Sequence, residues 1–169
     1  FMVDVKNQDP RVSELIHFYR NSSDSRQKLE FLVQKSSKGI LWDSQMQKDY
    51  LKFIKVAELH KSKSLETLIT RKIRSFDVAF VFTYPLVQSS LFANEVFSNS
   101  NADLVMLFNK HGKVSIRRNT DRISCSKIAS FLVEGGGHEF ASGGVLKSNP
   151  KDFPSCIGEM QQAIIKSLK

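Results

Sequence analysis

Residues 76–83 read Phe-Asp-Val-Ala-Phe-Val-Phe-Thr, an almost unbroken run of β-formers closed off by Pro85. A strand with apolar residues at successive positions has no polar face to turn to water, so this one is expected to be buried on both sides. Asp103 to Phe108 is a second strand of the same kind, and Ser89 to Phe97 between them has helical spacing. Asn109-Lys110-His111-Gly112 carries hairpin-turn chemistry. In the third strand, Lys113 to Arg118, Val114 and Ile116 alternate with Lys113, Ser115 and Arg117. Ser124 is placed to cap a helix through Lys127, Ile128, Phe131 and Leu132, which Gly135-Gly136-Gly137 ends. A short strand, Gly144-Val145-Leu146, and an amphipathic helix from Phe153 to Leu168 complete the pattern. Strands alternating with helices predict a layered α/β domain with a small mixed sheet over residues 76–169.

The preceding stretch has a different period. Asp9 suits a helix cap and Pro10 the first helical position, and Val12, Leu15, Ile16 and Tyr19 then fall on one helical face. A second short helix carries Leu29, Leu32 and Val33. After a turn at Ser36-Ser37-Lys38-Gly39, Asp43 or Ser44 opens the strongest helix. Its expected inner stripe is Met46, Tyr50, Ile54 and Ala57, with Lys48, Lys52 and Lys55 outward. Lys61-Ser62-Lys63-Ser64 reads as a polar connection. Residues 1–75 are thus expected to form a helical connector, with Trp42 packing it against the following lobe. The start, Phe1-Met2, is unlike a native N-terminus and leads us to expect further sequence upstream.

Composition narrows the function classes. No run approaches the 18 or so apolar residues of a membrane span, and no signal-peptide pattern opens the chain. Two cysteines, Cys125 and Cys156, are too few and too far apart for a metal knuckle, which points to a reduced, cytoplasmic protein. The net charge is +8. Lys110, Lys113, Arg117, Arg118, Arg122 and Lys127 face only Asp121 within their stretch, a basic cluster suited to a phosphate-bearing partner.

The glycines add a second constraint. Five of the eight lie between 135 and 144. Three in succession cost backbone entropy without side-chain packing in return, so a tight turn whose N–H groups form an anion-binding nest is the expected use. His138 could then donate to a phosphate oxygen while Arg117 clamps it with a bidentate fork.

Gly135-Gly136-Gly137-His138-Glu139-Phe140-Ala141-Ser142-Gly143 resembles the GGGHxxAAG signature of the C-terminal DHH-associated domain of DHH phosphoesterases, with Ser142 in place of the second Ala. Phe80-Val81-Phe82, Ser89-Ser90-Leu91, Ala102-Asp103-Leu104-Val105 and Val114-Ser115-Ile116-Arg117 match its upstream pieces. The resemblance covers roughly residues 76–148, and the helical segment more loosely resembles the family's inter-domain connector. It implies a lobe that holds substrate phosphate or a terminal nucleotide through Arg117, Gly135, Gly136, Gly137, His138, Ser142 and Gly143. Ser115 and Arg118 are lesser candidates, the latter because neighbouring strand residues face opposite sides. Family members cleave short RNA, single-stranded DNA, cyclic dinucleotides, 3′-phosphoadenosine phosphate or polyphosphate, using two divalent ions, usually Mn2+, in a larger N-terminal domain.

That domain's DxD and Asp-His-His motifs are absent from these 169 residues, and His17, His60, His111 and His138 are scattered. Two-metal hydrolysis needs several carboxylates and histidines around a closely spaced ion pair, so no catalytic residue is assigned here. Glu139 and Cys125 are set aside as base and nucleophile, and Phe76, Phe80 and Phe82 as core rather than stacking residues. The expectation is the C-terminal substrate-binding part of a metal-dependent phosphoesterase, such as an exonuclease, acting on short single-stranded nucleic acid or small nucleotides. A homodimer stays open. The alternative is a free-standing nucleic-acid-binding module without catalysis.

Overall fold

The computed structural model describes residues 9–169. The chain divides into two compact units, Phe1–Leu59 and His60–Lys169.

The first unit is helical. Asp9 caps α1 (Pro10–Arg20), its carboxylate accepting the Arg11 backbone N–H at 3.0 Å, a cap that typically adds about 1 kcal/mol to helix stability. α2 (Ser25–Ser37) follows, then α3, which begins at Ser44 and runs to Leu65. Leu15, Tyr19, Leu32 and Met46 form the core, with Trp42 and Tyr50 partly buried against it. The buried stripe of α3 differs from the expected one. Met46, Asp49 and Phe53 turn inward, whereas Ile54 is exposed. The shift comes from Asp49, which accepts the Tyr19 hydroxyl at 2.9 Å and a Gln45 amide hydrogen at 3.1 Å. Trp42 is engaged within this unit: its ring meets Tyr50 edge-on, the Arg11 guanidinium lies 4.3 Å above it, and its indole N–H donates to Gln47.

Residues 61–64, expected to be a connection, remain helical. The fully buried Ser64 explains why, since its hydroxyl donates to the His60 carbonyl at 2.8 Å and accepts the Tyr84 N–H at 3.0 Å. Satisfying both polar partners lets a polar residue continue the helix inside the core.

The second unit is a six-stranded mixed sheet in the order β1-β2-β3-β4-β6-β5. β1 (Ile69–Ile73) pairs antiparallel with β2 (Phe76–Thr83), and β2 pairs parallel with β3 (Leu104–Asn109). α4 (Ser89–Ser100) links these last two. β3 pairs antiparallel with β4 (Lys113–Arg118), β4 with β6 (Ala141–Val145), and β6 with β5 (Val133–Gly137). Residues 60–75, read from the sequence with the connector, therefore supply the end of α3 and an edge strand to this unit. β1 escapes detection because four of its five positions are exposed and Arg71 and Lys72 occupy its middle, the usual protection of a sheet edge.

Each face of the sheet has its own core. Val78, Phe80, Leu104, Met106, Val114 and Ile116 pack with α5 (Cys125–Ala129) and α6 (Phe153–Ser167) on one side. Ala79, Val81, Val105 and Leu107 pack with α4 on the other. β2 and β3 are covered twice, which is why they read as continuous apolar runs. β4 alternates because only one of its faces joins the core.

Residues 130–137 depart most from expectation. The helix stops at Ala129, and the triple glycine extends through β5 instead of making a nest. Close packing, which the sequence does not reveal, is the reason. A Cβ on Gly135 would lie 1.7 Å from the Ala129 carbonyl oxygen, and one on Gly144 2.8 Å from Leu132 Cβ. Glycine lets α5 rest directly on the β5–β6 hairpin.

Candidate functional site

α4 lies on β2 and β3. Over β4, β6 and β5 the same sheet face carries no helix of this unit among the described residues, and the expected site falls there. Arg117 pairs with Ala141 across β4 and β6. Ala141 in turn exchanges backbone hydrogen bonds with His138: His138 N–H donates to Ala141 at 2.8 Å and Ala141 N–H to His138 at 3.3 Å. Paired residues on adjacent strands share a face, so Arg117, Ala141 and His138 form one row. Ser115, Gly143 and Gly136 form the next row on that face. With strands about 4.8 Å apart, the backbones of Arg117 and His138 stand roughly 10 Å apart, with only the Ala141 methyl between them.

The rows enclose a shallow floor of Ala141, Gly143 and Gly136, with a guanidinium, an imidazole and a hydroxyl around it. A Cβ on Gly136 would have no atom within 4 Å, so this glycine borders open space. Gly143 is needed for close strand contact, a Cβ there lying 2.5 Å from the Val114 carbonyl oxygen. Gly137 takes a left-handed φ of 132° leading into the hairpin tip.

Arg117 donates from Nη1 to the Ile116 carbonyl at 2.9 Å and to the Ser142 carbonyl at 3.5 Å, and has no carboxylate partner among the described residues. Most of its fork is free for an anion. Arg118 faces the other way, donating to the Ile123 carbonyl at 2.7 Å and holding the loop before α5. Arg122 is also engaged, paired with Asp103 at 3.1 Å and 5.0 Å above the Phe76 ring. The basic cluster in the sequence is therefore partly structural, and strand alternation leaves Arg117 and Lys113 on the open face of β4.

Ser142, expected to offer its hydroxyl to a ligand, is buried on the α5 side and donates to the Cys125 carbonyl at 2.6 Å. The Cys125 N–H donates to the Glu139 carbonyl at 2.8 Å. The hairpin thus grips the first residue of α5 through both its backbone groups. Burial pushes the Cys125 thiol up to about 11 despite the nearby charges of Arg118 and Arg117, so it is no thiolate at neutral pH. Phe76 and Phe80 are core residues, the latter stacked on Phe108. His60 hydrogen-bonds the Pro85 carbonyl.

Sequence reasoning misses Phe140. Glu139-Phe140 forms the two-residue tip of the hairpin, where Asn-Gly or a similar pair is usual, and the Phe140 ring stacks on His138 with centroids 5.6 Å apart and planes 9° apart. The available signal is an apolar aromatic at a position that ordinarily carries a turn residue.

Among the described residues, no group of three or more His, Cys, Asp or Glu side chains could hold a metal ion. The two-metal set implied by the resemblance does not fit the residues present. No helix among them is long and apolar enough to cross a membrane.

The architecture is an α/β fold shared with several solved structures. One is the DHH domain of a member of a family of ribosomal proteins (15% identity, TM-score 0.52, 95% of this chain and 44% of that one). Another is PggH, a pGpG-specific phosphodiesterase from Vibrio cholerae (12%, 0.51, 94% and 55%). A third is an exopolyphosphatase-related protein from Bacteroides fragilis (16%, 0.51, 88% and 46%). The likeness is one of fold, and the chain spans about half the length of these structures. The sequence matches no family model and no curated protein.

Proposed function

We propose that this chain is the substrate-binding part of a metal-dependent phosphoesterase of the DHH type, acting on short single-stranded nucleic acid or small nucleotides. The observation that carries the reading is the row Arg117–Ala141–His138, which sets a largely free guanidinium and an imidazole across one small residue on an open sheet face. An anion over Ala141 would take a bidentate contact from Arg117 and one hydrogen bond from His138, with Ser115 and the exposed backbone at Gly136 beside it. Gly135, Gly137 and Gly143 shape the hairpin that presents His138. Ser142 holds the hairpin to α5, and Arg118 holds the preceding loop.

Phosphoester cleavage by such a protein requires ions, Mn2+ in the family this chain resembles, held by residues outside these 169. The lobe's own share is to bind the phosphate and fix its position, which lowers the entropic part of a hydrolytic barrier.

Calorimetric titration with a 5′-phosphorylated dinucleotide tests this reading. Arg117→Ala and His138→Ala should each weaken binding by roughly 1.5–3 kcal/mol, the usual worth of a hydrogen bond to a charged group. Unchanged affinity in both variants would remove the site. Salt separates the alternative, a nucleic-acid-binding module without catalysis: one pocketed phosphate gives a slope near −0.7 in log K against log salt, and six or more contacts a far steeper one. The mass of the natural protein provides an independent check, since the proposal expects a species well above 19.2 kDa.

A further inference from the structure

Phe140 breaks a local rule. The tip of a two-residue hairpin is normally small and polar, yet this side chain is 63% exposed. Most other phenylalanines of the unit lie in the two cores, with Phe76, Phe80, Phe92 and Phe108 all buried. Local rules are broken chiefly where function requires it.

The ring's position shows what it could do. Phe140 and His138 lie nearly parallel, planes 9° apart and centroids 5.6 Å apart, so the stack fixes the imidazole that closes the Arg117–Ala141–His138 row. One ring face is occupied by His138, and the exposure of Phe140 leaves aromatic surface for a second planar group. The backbone beneath is well anchored, because Glu139 at the same tip accepts the Cys125 N–H at 2.8 Å. A fixed aromatic ring next to an anion-binding row matches the two parts of a nucleotide: a phosphate for Arg117 and His138 and a base for the ring. Inorganic polyphosphate has no planar group to place there. Stacking of this kind tolerates any base, because each has a π-face.

We infer that Phe140 is a specificity-determining residue, stacking a nucleobase while Arg117 and His138 hold the adjoining phosphate, so that the ligand of this lobe is a nucleotide or a nucleic-acid end rather than a phosphate polymer. The inference rests on the phosphate-binding reading above.

The test compares adenosine 5′-monophosphate with ribose 5-phosphate, which differ only in the base, titrated into the 169-residue chain and its variants by calorimetry or NMR. The unaltered chain should bind the nucleotide roughly tenfold or more tightly than the sugar phosphate, in line with stacking on one ring. Phe140→Ala should close that gap by weakening the nucleotide alone, and Phe140→Trp should restore it. The side chain is exposed, so the fold is expected to persist in both variants, and an unchanged melting curve verifies this. If Phe140→Ala leaves the gap intact, or weakens both ligands equally through His138, the stacking role is wrong. Arg117→Ala isolates the parent reading: loss of both ligands upholds the phosphate site whatever Phe140 does. No effect on either ligand, or no binding of either to the unaltered chain, overturns the phosphate site and the stacking inference with it.

Discussion

Two adjacent glycines should respond to the same substitution in opposite directions. In Gly135→Ala the new methyl would sit 1.7 Å from the Ala129 carbonyl oxygen and 2.7 Å from its carbon, against a practical limit of 3.0 Å. Either β5 or α5 must therefore move by more than an ångström. α5 cannot move freely, since Cys125 is held to the hairpin by hydrogen bonds of 2.8 and 2.6 Å. Overpacking costs about 1–3 kcal/mol, and a buried hydrogen bond broken by the shift a further ~1–3 kcal/mol. At about 3 °C per kcal/mol for a chain of this size, the melting temperature should fall by roughly 6–18 °C. Gly136→Ala meets nothing within 4 Å and has no left-handed φ. Restricting the unfolded chain should leave that variant equal to the parent or about 0.4–1 kcal/mol more stable. Calorimetry or circular dichroism melts of the two variants side by side decide the matter. Equal destabilisation would refute the packing explanation and return the glycines to a shared backbone role.

Three further outcomes follow from other contacts. Ser142→Ala gives the residue of the GGGHxxAAG signature, yet it should destabilise this chain by about 0.5–1.5 kcal/mol by removing the buried hydrogen bond to the Cys125 carbonyl; a urea midpoint that does not move would contradict this. Cys125 and Cys156 are both buried with their thiols pushed up by that burial, so a disulfide reagent at pH 8 should label them only as the chain unfolds, and prompt labelling of the native protein would be inconsistent with it. Burial alone would raise Asp49, but hydrogen bonds from Gln45, Tyr19 and Lys52 outweigh it and hold its carboxyl below the usual 3.8. A depressed folded value gives stability that is full above the unfolded carboxylate range and lost as pH falls through the folded value. Asp49→Asn should therefore flatten the acid limb of the stability–pH curve, and an unchanged limb would exclude Asp49 as a contributor.

The sequence disclosed what depends on near neighbours. Residues 76–83 and 103–108 announce themselves because their side chains are buried on both faces, and Arg117 is separated from Arg118 by strand alternation alone. What stayed hidden depends on partners distant along the chain. Ser142 looks like a donor awaiting a ligand until Cys125, 17 residues earlier, is found beneath it. The inward turn of Asp49 follows from Tyr19, 30 residues away. The triple glycine suggested a turn because nothing in the sequence shows that α5 stops at Ala129 and lies against Gly135. β1, exposed and charged, carries no pattern to detect.

The close seating of α5 on the hairpin has a consequence for how such chains drift. Gly135 and Gly144 are held in place by a helix backbone and the Leu132 side chain beside it, and Gly143 by the neighbouring strand, whatever the lobe binds. A descendant that had abandoned its ligand could not exchange these glycines without losing its fold, yet it could discard Arg117, His138 and Phe140 at little structural cost. In such a lineage the most recognisable letters of the signature would outlive the activity, and the presence of glycines alone would record ancestry rather than chemistry.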